Sequence, residues 1–155
     1  MNIKKIAIAL LASTTLGFAV FSFNNVVSAQ TVQTAATVET VLNFAKLEAI
    51  HAPTEGTVVI VQKTDGSTVL RIQNLKTEPG PDLHVYLSMG AVPTPAKDGA
   101  VVKTGAKYID LGKIPAPFKG FYEFAIPAKT DLAQFKSALI WCDLASVTFA
   151  GAKLN

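Results

Sequence analysis

The stretch GTVVIVQKTDGSTVLRIQNL, residues Gly56–Leu75, decides the fold class. Two runs rich in β-branched residues flank Asp65-Gly66, a dipeptide that suits a tight two-residue hairpin turn. On the second arm Leu70 and Ile72 alternate with Arg71 and Gln73. One face is therefore apolar and the other meets water. PDLHVYLSM, Pro81–Met89, has the same period of two. Leu83, Val85, Leu87 and Met89 share one face, and Asp82, His84, Tyr86 and Ser88 share the other.

Working outward, KYIDLG (107–112) reads as a short strand. FYEFAIP (121–127) places Tyr122, Phe124 and Ile126 on one side and ends at Pro127. ALIWCDL (138–144) and SVTFAGAKL (146–154) read as two final strands. GAVPTPAKDGA and IPAPFKG are Pro/Gly loops. TDLAQFKS suits one helical turn, with Thr130 as N-cap and Asp131 in the first turn. Seven or eight short strands with one short helical turn predict an all-β domain, an antiparallel β-sandwich or barrel.

The chain opens MNIKKIAIALLASTTLGFAVFSFNNVVSAQ. Lys4 and Lys5 precede an apolar run from Ile6 to Phe23, and Val27 and Ala29 sit at the small-residue positions of a cleavage site. This predicts a signal peptide over 1–29, removed before Gln30, and an exported protein, periplasmic or secreted. Residues 30–43, QTVQTAATVETVLN, read as a linker or a loose helix, and 44–155 as the β domain. The formal charge of +3 falls to +1 once Lys4 and Lys5 are lost. With no basic run interleaved with aromatics, nucleic-acid binding is not expected. No membrane span is expected after signal removal.

The chemistry-bearing residues are few. There is no GxSxG, HExxH or CxxC motif, so no hydrolase or transferase signature exists, and any activity would be redox. Cys142 is the only cysteine and lies next to Trp141, the only tryptophan. An odd cysteine in an exported protein forms an intermolecular bond, reacts or ligates as a thiol, or is hidden in the core. Cys142 shares phase with Ile140 and Leu144, and Trp141 with Leu139 and Asp143. Both faces begin apolar, so alternation leaves the face of Cys142 open. His51, His84, Cys142 and Met89 are the residue types of a blue-copper site. Cupredoxins, however, place a histidine and usually a methionine shortly after the cysteine, and nothing follows Cys142 in that way. Copper is therefore disfavoured, as is a haem held by His84 and Met89. The cofactor is left unknown, with His84, Asp82 and Trp141 as cofactor-binding candidates and His51, His84 and Cys142 as metal-ligand candidates.

HAPTEGTVVIV, LRIQNLKTEPGPDLHVYLS, KYIDLGKI, KGFYEFAIP and SALIWCDLASVTFAGAKL, in that order, resemble the DM-thirteen domain family found in Skeletor-type proteins. The resemblance runs from about Phe44 to Leu154. GPDLHVYLS and IWCDLxSVxFAxAxL are its specific parts. It implies an extracytoplasmic β-rich module, in which the cysteine matched by Cys142 has been proposed as a redox or cofactor-associated residue. Such domains often accompany DOMON and cytochrome b-type domains, which is why the family is described as electron-transferring. No haem domain is expected within this chain, so a complete electron path is not expected in it. Asp82 and His84 of the PDLH stretch and His51 of HAPTEG are carried over with Cys142.

The leading expectation is an extracytoplasmic redox or electron-transfer role centred on Cys142. Asp82 and His84 would tune or orient the thiol, Trp141 would wall it from solvent, and an unidentified redox partner protein would exchange electrons with it. The alternative is a binding or adhesion module without chemistry. There Cys142 is only a core residue, and the face of His84 and Tyr86, or the Pro-rich loop, meets a partner. A small-ligand carrier with an apolar interior would require an internal cavity.

Overall fold

A computed structural model describes residues 38–94 and 106–154. The expected leader, most of the 30–43 segment and part of the loop after β5 lie outside the described residues. Nine strands are present among them: β1 (Thr40–Lys46), β2 (Glu48–Ala49), β3 (Thr54–Gln62), β4 (Thr68–Thr77), β5 (Leu83–Ser88), β6 (Tyr108–Lys113), β7 (Lys119–Ile126), β8 (Ser137–Cys142) and β9 (Val147–Lys153). They form a four-stranded sheet in the order β1-β3-β4-β7 and a five-stranded sheet in the order β2-β9-β8-β5-β6. All pairings are antiparallel. The two sheets remain separate, so the architecture is a sandwich and not a closed barrel.

The core lies between the sheets. Val58, Ile60, Leu70 and Ile72 come from the first sheet, and Leu83, Val85, Leu87, Ala138, Ile140 and Ala150 from the second. Phe124 and Ile126 of β7 join it with Tyr122 packed alongside, the face the alternation assigned to them. Arg71 also lies where the alternation placed it, on the outer face of β4. There its guanidinium bridges Glu39 (2.5 and 2.8 Å) and Glu123 (2.7 Å), and Lys63 adds a contact to Glu123 at 2.6 Å.

Three local readings are corrected. Thr40–Asn43, taken as the end of a linker, open strand β1, which pairs with β3. A register shift between Val41 and Asn43 breaks the period of two and hides this strand from an alternation test. The hairpin between β3 and β4 has a three-residue loop, Thr64-Asp65-Gly66. Lys63 N–H donates to the Ser67 carbonyl (2.8 Å), and Gly66 N–H donates to the Lys63 carbonyl (2.9 Å). Gly66 takes φ 82°, the left-handed residue of a bulged turn. The helical turn is a 3-10 turn over Leu132–Gln134, capped by Asp131, whose carboxylate accepts from Ala133 N–H at 3.2 Å. Thr130 instead donates its hydroxyl to the Pro127 carbonyl at 2.7 Å.

Strand β5 lies between β8 and β6, and this position sets up the site. Its second face, expected to be wet, is largely covered. Tyr86 is only 7 % exposed and Ser88 is fully buried. Tyr86 packs with Leu139 and Trp141 in a second apolar cluster on the outer side of the sheet. The chain after β5 is tied back over this face. Gly90 N–H donates to Ser88 Oγ (3.0 Å), and Ser137 Oγ donates to the Gly90 carbonyl (2.7 Å). Val92 then sits against the bare backbone of Gly151, as Leu139 does.

Candidate functional site on the outer face of the five-stranded sheet

Residues directly opposite each other in an antiparallel pair project to the same side of the sheet. Leu83 faces Cys142, and His84 faces Trp141. The sheet therefore separates the two expected partners: Cys142 points into the core, while His84 and Trp141 point outward. Cys142 is 0 % exposed and packs in the core cluster with Leu83, Ile140 and Val147. Its face, which the sequence left open, is the inward one.

The outer face carries a row of rings. Tyr108, at the start of β6, stacks on Tyr86 with centroids 4.3 Å apart and planes 10° from parallel. Tyr86 stacks on Trp141 at 6.1 Å and 21°. Tyr108 is 53 % exposed, so the row leads from solvent to two buried rings. Aromatic contacts of this kind add stability beyond the area they bury.

A polar cluster closes one end of the row. Tyr86 Oη donates to Asp143 Oδ1 at 2.6 Å. Asp143 follows β8 directly, and its backbone N–H donates to the Asp82 carbonyl at 3.0 Å, so the two carboxylates are held near each other. His84 lies among three acids. Its Nδ1 is 2.9 Å from Asp110 Oδ2, and its Nε2 is 3.4 Å from Asp82 Oδ1 and 3.8 Å from Asp143 Oδ2. Lys113 pairs with Asp82.

Electrostatics follow from this geometry. Partial burial pulls the His84 pKa down, but the hydrogen bond and charge of Asp110, with the charges of Asp143 and Asp82, outweigh it, and the net shift is upward. The hydrogen bond from Lys113 holds the Asp82 carboxyl below the usual range. Burial, then the hydrogen bond to Asp143, pushes the Tyr86 phenol well above its ordinary value, so it stays protonated.

Of the residues singled out in the sequence, Asp82, His84 and Trp141 meet on this face. Cys142 and His51 do not join them. His51 packs its ring against Phe149 (centroids 5.9 Å) and donates its backbone N–H to the Phe149 carbonyl. Met89 packs against the core, on the side opposite His84, so the pair suggested for haem does not converge. The metal candidates His51, His84 and Cys142 are likewise kept apart. Among the described residues, ligand atoms of Asp82, His84 and Asp143 lie within 4.8 Å of one another. Each is already engaged, by Lys113, Asp110 and Tyr86 respectively, and the group reads as an ion-pair cluster. Tyr108, Asp110, Lys113 and Asp143 were not singled out from the sequence. A signal existed: Tyr108 and Asp110 alternate in KYIDLG, and Asp143 shares phase with Trp141. Three clefts, one lined by Ser67, Pro127 and Leu132, one by Pro53, Thr77 and Pro79, and one by Leu42, Ile60 and Leu154, measure about 180, 320 and 250 Å3. All three open to solvent, and none is the interior cavity that a ligand carrier needs.

Fold and site together define an open antiparallel sandwich with an aromatic row and a charged cluster on one outer face. The chain belongs to the DM13 family: the family model described as "Electron transfer DM13" matches residues 44–154, most of its length. That description supports an electron-transfer reading at a coarse level. No curated protein and no solved structure matches the chain.

Proposed function

We propose that the protein is an extracytoplasmic electron-transfer module whose electrons pass through the outer-face row Tyr108–Tyr86–Trp141. The observation that carries this reading is the row itself: three rings in stacked contact, one half exposed and two buried. Tyr108 is the entry point for a partner protein, and Tyr86 and Trp141 are the shielded sites. The Cys142-centred version has less support. Cys142 is fully enclosed by apolar side chains, so no redox partner can reach the sulfur unless the sheet opens. Export rests on the leader sequence, and a mass measurement on protein from the extracytoplasmic fraction should find an N-terminus at Gln30.

The test is oxidation of residues 30–155 with photogenerated ruthenium(III) tris-bipyridine, using persulfate as the electron sink. We expect an aromatic radical, read by electron paramagnetic resonance, that Tyr86→Phe removes or moves to Trp141. A radical with the same spectrum and yield in Tyr86→Phe and Tyr108→Phe would overturn the reading. The binding-module alternative draws on one observation, the exposure of Tyr108 and Leu144. It requires a partner whose affinity falls with Tyr108→Ala while the redox behaviour of the partner is unchanged.

A further inference from the structure

We propose that Asp143 is the proton acceptor for Tyr86, so that electron passage through Tyr86 is coupled to a short proton transfer. This rests on the aromatic-row reading and adds the fate of the proton to it. Tyr86 is largely buried, so a carboxylate at hydrogen-bond distance is a nearer acceptor for its phenolic proton than bulk water. Its hydroxyl donates to Asp143 Oδ1 at 2.6 Å, within the range of a short O–H···O⁻ bond. The Asp143 side chain is 39 % exposed, so it links the buried phenol to solvent. Its position is set by two backbone bonds: its N–H donates to the Asp82 carbonyl (3.0 Å), and its carbonyl accepts from Ser146 N–H (3.3 Å). The second carboxylate oxygen faces His84 Nε2 at 3.8 Å, which leaves Oδ1 directed at the phenol.

The step balances as follows. A high-potential one-electron oxidant, in the cell an oxidised metal centre of a partner, takes one electron from the Tyr86 ring and is reduced by one. The phenolic O–H bond breaks, and an O–H bond forms on Asp143 Oδ1. The products are a neutral tyrosyl radical, a protonated Asp143 and the reduced oxidant. When an electron returns through Tyr108 or Trp141, the proton moves back and the starting pair is restored. Without the acceptor, oxidation would leave a cationic phenol in a buried site, which is strongly disfavoured.

The experiment uses residues 30–155, the same ruthenium and persulfate reagents, and time-resolved absorption of the tyrosyl radical in water and deuterium oxide. The wild-type protein should form the radical more slowly in deuterium oxide. Asp143→Asn, which keeps shape and removes the base, should slow formation about tenfold or more, and Asp143→Glu should recover part of the rate. Equal rates in wild type and Asp143→Asn, or no isotope effect in the wild type, would overturn the coupling. Persistence of the unchanged radical in Tyr86→Phe would instead overturn the aromatic-row reading. The two failures are thus distinct. If Asp143→Asn does not fold, the wild-type isotope effect decides alone.

Discussion

Cys142 and His84 occupy neighbouring strands yet face opposite ways, and that single geometric fact reorders the chemistry. A serine at position 142 would place a hydroxyl in the apolar core cluster. We expect Cys142→Ser to destabilise the fold by about 1–3 kcal/mol, with Cys142→Ala milder, as read from chemical denaturation. In the folded wild type an aromatic disulfide reagent should leave the thiol untouched, and it should react fully only after unfolding. Prompt reaction in the native protein would mean that the sulfur is not enclosed. His84 provides the complementary test. Its imidazole should titrate above the ordinary 6.5, because the three surrounding carboxylates outweigh its partial burial. Asp110→Asn should move that titration downward, since it removes the closest partner, at 2.9 Å. Proton NMR of the imidazole ring resolves both values.

At the scale of elements, two glycines separate turn chemistry from strand chemistry. Gly66 closes the β3–β4 hairpin at φ 82° with open space around the position of a side chain. Gly56 sits within β3 at φ 144°, where the register to β4 shifts between Glu55 and Thr57. A Cβ there would stand 3.1 Å from the Gln73 carbonyl oxygen and 3.2 Å from a Leu47 methyl. Gly66→Ala should therefore lower stability by about 1–2 kcal/mol, the penalty of a left-handed backbone alone. Gly56→Ala should lower it further, because strain of about 1–3 kcal/mol is joined by a steric contact that backbone must relieve. Parallel thermal melts would check the order, and an equal loss at the two sites would contradict it. The same bulges explain what alternation could and could not disclose. β4, β5 and β7 keep a strict period of two where the sequence was read, and their core faces were assigned from it. β1 slips register at Leu42, so TVLNFAK resembles no amphipathic strand. Asp65-Gly66 marked the hairpin, but the number of residues in its loop depends on which backbone pair closes it.

For the whole molecule, charge lies on the outer faces of both sheets, and stability should follow pH from both ends. On the first sheet, the Arg71 hydrogen bond depresses the Glu39 carboxyl, and Lys63, then Arg71, depress that of Glu123. Ser67 depresses Asp65, and Lys113 depresses Asp82. A depressed carboxylate contributes stability above its unfolded pKa, and that contribution is lost as pH falls through the folded value. His84 has the opposite sign. Its contribution is full below 6.5 and is lost as pH rises through its raised folded value. Denaturation midpoints should thus drop on the acid side of the ordinary carboxylate range and soften on the alkaline side of neutrality. His84→Gln should abolish the alkaline change and spare the acid one. An acid limb that vanished in His84→Gln would show that the assignment of groups is wrong.

The amino-acid sequence by itself determined an all-β chain, its principal strands and their core-facing residues, because side chains along a strand alternate whatever the rest of the fold does. It also carried the family motifs around PDLHVYLS and IWCDL. Only the tertiary structure decided that Asp82, His84, Asp110, Lys113 and Asp143 meet, and that Tyr108, Tyr86 and Trp141 stack. Those contacts depend on which strands become neighbours and in what register, and local alternation carries no record of either. The same pairing turned Cys142 inward: a strand with apolar residues on both sides is assigned its faces by its neighbours, and here Leu83 opposite Cys142 made that assignment.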